Sequence, residues 1–207
     1  KKSYTFRIRW LVDITAVSEL AHAVDACVII DNVFATPLLQ QPLELGADVV
    51  VYSATKHIDG QGRVLGGAVL GSEHFIMEVL QPLMRHTGPA LSPFNAWTLL
   101  KGLETLTLRV ERMCANALKL AKFMAERPEI GRVLYPGLDS HPQAELARRQ
   151  MRGFGSVVTF ELAAGGKAAF KFLNGLEMIN ISNNLGDSKS LITHPTTTTH
   201  RAMGEEG

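Results

Sequence analysis

The sequence predicts an α/β protein, with a mostly parallel sheet between flanking helices and part of a smaller α+β unit after it. Three observations predict this. Helix-like and strand-like apolar patterns alternate from Asp13 to Gly71. The two clearest strands are continuous apolar runs, which implies burial on both faces and hence a sheet covered by helices. After Pro128 the texture changes to short, mixed elements.

Each element follows from its residues. In DITAVSELAHAV (13–24) apolar residues fall at 14, 17, 20, 21 and 24, the spacing of one helix face, and Asp13 stands where an N-cap belongs. CVII (27–30) is an apolar run of strand length that stops at Asp31. PLELGA (42–47) reads as a helical turn ended by Gly46, DVVVY (48–52) as a second buried strand, and GGAVLG (66–71) as a third. Ser92 caps a long helix with Pro93 in its first turn. Apolar positions 94, 97, 100, 103, 106, 110, 113, 117, 121 and 124 carry that helix toward Pro128, with a kink expected at Gly102. Beyond it, RVLYP, GSVVTFEL and SLITH read as strands, and AELARRQM and KAAFKFL as helices. The division is placed inside the long helix, giving part of a larger domain at 1–112 and part of a smaller one at 113–207.

Composition bounds the function without naming it. Of 207 residues, 46% are hydrophobic and 20% charged, as in a globular protein. A net charge of +1 provides no field to attract nucleic acid or an anionic membrane. No apolar run reaches the length of a membrane span. The opening KKSYTFRIRW lacks the pattern of a signal peptide, and the two cysteines form no framework, so a cytoplasmic setting is expected. Cys27, inside a strand, and Cys114, in a helix, are expected to be buried and inert.

The chemistry concentrates in DVVVYSATKHIDGQGRVLGG (48–67). Ligands of open α/β sheets bind beyond the carboxyl ends of parallel strands. One such end carries Asp31, and the other carries Ser53, Thr55 and Lys56. An activated amine forms a Schiff base with an aldehyde. Pyridoxal phosphate offers that aldehyde, a ring nitrogen that wants a carboxylate, and a phosphate that wants hydroxyl donors. Asp31, Ser53, Thr55 and Lys56 match those needs. Taken singly, a lysine after a strand is a solvated loop residue and an aspartate there a turn residue. Gly60, Gly62 and Gly66 are one residue too widely spaced for a dinucleotide fingerprint. A rival reading takes SATK as S-x-x-K, with Ser53 as an acylated nucleophile and SNN (182–184) as its S-x-N partner. It lacks a K-T-G strand, and HIDGQG is a poor continuation for the helix such a serine should open.

Three stretches carry a resemblance: DNVFATPLLQQPLELGADVVVYSATKHIDGQGRVLGG (31–67), RHTGPALSPFNAWTLLKGLETL (85–106) and ISNNLGDSKSLITHPTTTTH (181–200). They are similar to the Cys/Met-metabolism, or trans-sulfuration, pyridoxal-phosphate enzymes. The third looks most like the O-succinylhomoserine sulfhydrylase branch. The resemblance implies an aspartate-aminotransferase-like (fold type I) transferase. It implies that Lys56 binds the cofactor and shuttles protons, that Asp31 pairs with the ring nitrogen, and that Ser53 and Thr55 hold the phosphate. Asn184 and Leu185, at the position of the family's Ser-Leu pair, would lie near the substrate's amino-acid group and Lys56. The implied reaction is γ-replacement, in which an O-acylhomoserine, O-succinyl favoured, reacts with sulfide to give homocysteine for methionine biosynthesis. The family forms homotetramers with shared active sites.

The chain also departs from the family. Members run to about twice its length, so it is expected to be incomplete. The amino-terminal part of the cofactor cup, its stacking tyrosine and the arginine for the substrate carboxylate have no match here. KKSYTFRIRW stands where the family has a segment like ETPSNP. The alternative to an active enzyme is a fragment that keeps the fold and only associates with other chains. Among other residues, His57 reads as a loop residue, and Arg85 and His86 as contacts to a neighbouring subunit. Phe94, Trp97 and Leu100 read as a core stripe. His194 and His200 match no metal spacing and are assigned a structural role, with no metal site expected.

Overall fold

The computed structural model describes residues 10–199, so most of KKSYTFRIRW and His200 lie outside the described residues. Helix α1 (Ile14–His22) starts where Asp13 Oδ1 accepts from the Ala16 N–H at 3.2 Å. Its Ile14 packs with Val28 and Ala47. Strand β1 (Ile29–Asp31) follows, then the short helix α2 (Thr36–Leu39), a 3-10 turn over Pro42–Leu45 and strand β2 (Val49–Ser53). Gly46 ends that turn with φ of 100°, a left-handed value suited to glycine.

The first sheet has the order β1-β2-β3, with β3 spanning Gly67–Gly71. β1 and β2 are parallel, with Ile29 opposite Val49 and Asp31 opposite Val51. β3 runs antiparallel to β2, with Ser53 opposite Gly67. The expectation of a mostly parallel sheet is corrected here to a small mixed one. A parallel return needs a crossover, which α2 and the 3-10 turn supply between β1 and β2. Residues 54–66 instead fold back over the strand end, so β3 re-enters in the opposite direction.

Residues 72–87, unassigned from sequence, form a π-helical turn (Phe75–Leu80) leading into helix α3 (Gln81–Thr87). Helix α4 (Pro93–Leu103) begins with Ser92 Oγ accepting from the Asn95 N–H at 3.1 Å. The expected single helix is two helices. It breaks at Glu104–Thr105, and α5 (Leu106–Ala125) continues beyond. Gly102 is not a kink but a point of close approach. A Cβ there would lie 2.2 Å from the Ile58 carbonyl oxygen.

Two further expectations are corrected. Phe94, Trp97 and Leu100 are 68%, 57% and 58% exposed, because α4 buries the face carrying Thr98, Leu99 and Gly102. Cys27 is exposed, because β1 begins two residues after it.

Helix α5 serves two clusters. Leu106 and Val110 pack with Ala35 and Leu39, while Ala117 and Ala121 pack with Tyr135 and Leu138. The second unit holds an antiparallel pair of β4 (Ile130–Leu134) and β5 (Thr159–Leu162), with helices α6 (Ala144–Gln150) and α7 (Gly165–Asn174). Strands β6 (Asn180–Ile181) and β7 (Leu191–Ile192) form a parallel pair, shorter than SLITH suggested. The α6 region docks on the first unit through polar contacts. Gln143 and the Leu11 backbone exchange two hydrogen bonds of 2.7 Å, Gln150 Nε2 donates to the Val12 carbonyl at 3.0 Å, and the Arg152 N–H donates to the Leu39 carbonyl at 2.7 Å.

Gly102→Ala should therefore lower stability by about 1–3 kcal/mol, since the backbone of residue 58 must yield to the new methyl. Urea unfolding reads this directly, and an unchanged midpoint would contradict the close approach.

Candidate active site

The lysine sits on a tight turn directly after β2. The Lys56 N–H donates to the Ser53 carbonyl at 3.1 Å, Asp59 N–H to Ala54 at 2.9 Å, and Gly60 N–H to Lys56 at 2.7 Å. Asp31 ends β1, the parallel neighbour, so its carboxylate and the lysine turn lie at the same end of the sheet. Asp31 is exposed, and its Oδ1 accepts from the Val33 N–H at 3.1 Å. Ser53 is half-buried and makes no hydrogen bond through its hydroxyl among the described residues. Thr55 Oγ1 is engaged: it accepts from the Gly66 N–H at 3.0 Å and donates to the Gly66 carbonyl at 3.3 Å.

A distant segment completes the cluster. Lys56 Nζ donates to Asn184 Oδ1 at 2.5 Å, across 128 positions of sequence. The loop carrying Asn184 and the half-buried Leu185 lies on the lysine turn because Gly186, at φ of 73°, has no side chain. A Cβ there would stand 2.6 Å from the His57 nitrogen and 2.9 Å from the Lys56 carbonyl carbon. The Ser188 N–H then donates to the Gly60 carbonyl at 2.8 Å. This arrangement argues against the S-x-x-K reading. Ser53 closes a strand rather than opening a helix.

Behind the turn lie groups that the sequence reading passed over. Asp59 is fully buried and pairs with Arg63, whose Nε lies 2.8 Å from Oδ1 and whose N–H lies 2.6 Å from Oδ2. Burial pushes the Asp59 carboxyl up. The Arg63 N–H, side chain and charge outweigh this and hold it below its ordinary value. Arg109 NH1 donates to the His57 carbonyl at 2.7 Å, and NH2 reaches the Gly102 carbonyl at 2.8 Å and the Ile58 carbonyl at 3.3 Å. A signal was available for Arg109: a lone cation between Leu106 and Val110 on an otherwise apolar helix face.

His57 lies in the turn after β2, as a loop residue, and is buried there, with Nε2 3.2 Å from Ser156 Oγ of the second unit. Under β1, Asn32 Nδ2 reaches the Thr36 and Gln40 carbonyls and Tyr52 Oη within 3.0 Å, and Gln40 Nε2 returns a bond to Asn32 Oδ1 at 2.9 Å. This network fixes the turn after Asp31. Thr36 is held there at φ of 60°, a left-handed value that β-branched residues rarely adopt. His194 packs against Phe170 in a tilted arrangement, with 5.0 Å between ring centres. A groove of about 540 Å³ between β5 and α7 lies apart from all these residues and is mainly apolar.

The donor set fits pyridoxal phosphate. An amine, a carboxylate and a hydroxyl with no protein partner among the described residues stand at the carboxyl ends of two adjacent parallel strands.

The pKa of His57 falls from 6.5 to about 4, because burial disfavours the charged ring; the Val33 backbone opposes this and the Arg109 charge reinforces it. In the unfolded chain the ring returns to its ordinary value and takes up a proton first as pH falls. Its contribution to stability is complete above about pH 6.5 and is lost as pH falls toward 4, on the order of 3 kcal/mol. His57→Gln should show a smaller drop in urea midpoint between about pH 7 and 4.5 than the unaltered chain. Equal drops would contradict a neutral, buried His57.

The sequence matches the Cys/Met metabolism PLP-dependent enzyme family over residues 5–207, reaching into the opening stretch that carries no likeness to ETPSNP. It is 62% identical over 201 residues to an O-succinylhomoserine sulfhydrylase of Mycobacterium tuberculosis, covering 95% of this chain and 50% of that protein. It is 54% identical over 196 residues to one of Pseudomonas aeruginosa, covering 95% and 48%. The crystal structure of metB from Corynebacterium glutamicum superposes with a TM-score of 0.91 at 41% identity, over 95% of this chain and 51% of that one. Cystathionine gamma synthase from Xanthomonas oryzae pv. oryzae, in complex with aminoacrylate and cysteine, gives 0.91 at 39% identity over the same shares. The chain spans about half the length of the curated relatives it matches. With the family matched along nearly its whole length and the strand-end lysine cluster in place, the chain belongs to the Cys/Met-metabolism PLP-dependent enzymes.

Proposed function

We propose that this chain is the lysine-bearing part of an O-succinylhomoserine sulfhydrylase of aspartate-aminotransferase-like, fold type I architecture. The reaction is γ-replacement: sulfide takes the place of the acyl group of an O-acylhomoserine, O-succinyl favoured, and homocysteine results. Identity of 54–62% to proteins of that name supports the substrate. The observation that carries the reading is Lys56 on a rigid turn, its amine held by Asn184 at 2.5 Å.

Bound pyridoxal phosphate would supply an aldehyde for amine capture and a ring that accepts electrons. Lys56 would anchor it and move protons on and off the substrate. Asp31 would pair with the ring nitrogen. Ser53, whose hydroxyl has no partner among the described residues, would donate to the phosphate, and Thr55 would join it by exchanging its bond to the Gly66 carbonyl. Asn184 and Leu185 border the substrate. Domains at 1–112 and 113–207 share this site, since Asn184 reaches Lys56 from the second. A homo-oligomer, tetrameric as in the family, would cover the exposed Phe94, Trp97 and Leu100. The setting is cytoplasmic; among the described residues no helix is long and apolar enough to cross a membrane.

The test is covalent capture. Pyridoxal phosphate is added to the chain, the adduct is reduced with borohydride, and the modified lysine is located by peptide mass spectrometry. Stoichiometric label on Lys56, lost in Lys56→Ala, is expected, together with a fall in any homocysteine formation of about 10²–10⁴-fold, the usual worth of a general base. Undiminished label in Lys56→Ala would contradict the assignment.

A further inference from the structure

We propose that Arg109 is the positioning residue of the lysine turn: its guanidinium ties the two carbonyls that follow Lys56 to the carboxyl end of α4 and so holds the amine in register with Asn184. The inference rests on Lys56 being the cofactor lysine. Arg109 touches neither that amine nor Asp31, Ser53 or Asn184.

Four hydrogen bonds define the clamp. Nε donates to Thr105 Oγ1 at 3.0 Å, NH1 to the His57 carbonyl at 2.7 Å, and NH2 to the Gly102 and Ile58 carbonyls at 2.8 and 3.3 Å. These acceptors belong to two segments well separated in sequence, His57–Ile58 and Gly102–Thr105. A planar fork with five donors can serve them together; a lysine ammonium, a point charge on a flexible stem, cannot.

The surroundings are shaped for the guanidinium. It lies flat against Gly60, where a Cβ would come within 2.1 Å of NH1. Gly102 lets α4 approach the Ile58 carbonyl closely enough to share the same group. Burial holds the Arg109 guanidinium below its ordinary pKa; the buried carboxylate of Asp59 counters part of this, and the Arg63 charge adds to it.

Without the clamp, the His57 and Ile58 carbonyls lose their donors in a half-buried setting, and the turn relaxes to satisfy them. The Gly60 N–H bond to the Lys56 carbonyl lies inside that turn, so Lys56 moves with it. A displacement of about 1 Å at a reacting group costs on the order of 10²-fold in rate.

The experiment measures the rate of pyridoxal phosphate capture at Lys56, by borohydride quenching and peptide mass spectrometry, in the unaltered chain, Arg109→Ala, Arg109→Lys and Val110→Ala. Val110 is the buried neighbour of Arg109 on α5, and its truncation weakens the core without touching the turn. Arg109→Ala should capture about 10- to 100-fold more slowly. Added guanidinium at millimolar levels, well below denaturing amounts, should recover part of that rate. Arg109→Lys should fall between, and Val110→Ala should stay within about 2-fold of the unaltered chain, as expected of a side chain away from the site. Capture by Arg109→Ala as fast as by the unaltered chain would overturn the inference alone. So would a loss that Val110→Ala shares and guanidinium does not relieve, which marks a merely structural role. Absence of Lys56 capture in the unaltered chain would overturn the functional reading and this inference with it.

Discussion

Backbone segments meet behind Lys56 at separations that leave no room for a side chain. Gly186 brings the 182–188 loop onto the Lys56–His57 peptide, Gly102 brings α4 onto Ile58, and Gly60 lets the Arg109 guanidinium lie on the turn. Gly102, inside α4, is unfavourable there by roughly 0.5–1 kcal/mol relative to alanine, whereas Gly60 and Gly186 hold left-handed φ values that suit glycine. The contacts they permit outweigh that. The Ser188–Gly60 bond, the Lys56–Asn184 bond and the Arg109 clamp all require these approaches. The site is thus organised by where side chains are missing as much as by where they are present.

The strand ends supply the other half of the arrangement. Parallel pairing of β1 and β2 puts Asp31 and Ser53 at one edge of the sheet, and the Asn32–Gln40–Tyr52 network stiffens the turn beyond Asp31. Buried polar networks of this kind stabilise one conformation only when fully satisfied. Here Asn32 uses both its oxygen and its amide. The second unit is tied to the same framework through Gln143, Gln150 and Arg152, and through Ser156 at His57. A rigid scaffold on both sides of the lysine suits the proton transfers proposed for Lys56.

Much of this was legible in the residues. Asp13 and Ser92 announce their helices, because capping is local chemistry within one turn. The runs ending at Asp31 and Tyr52 announce strands, but only β2 is buried: β1 lies at the sheet edge and leaves Ile29 58% exposed, against the burial on both faces that its apolar run implied. SATK after the second run announces the candidate site. What sequence left hidden is tertiary. Phe94, Trp97 and Leu100 have the spacing of a core stripe, yet α4 turns the face of Thr98, Leu99 and Gly102 inward, because only glycine fits against Ile58. Spacing identifies a face but not its partner. The direction of β3 depends on how residues 54–66 fold back, which no periodicity encodes. Arg109 and His57 look like ordinary polar residues until the carbonyls and the serine they meet are located.

The central claim is that the loop of residues 182–188 is locked onto the lysine turn. Amide hydrogen exchange of the chain without cofactor, read by peptide mass spectrometry, tests it most directly. Peptides covering 54–62 and 182–190 should be protected to similar extents, and Gly186→Ala should release both while leaving α5 protected. Rapid exchange of 182–190 beside a protected lysine turn would contradict the claim.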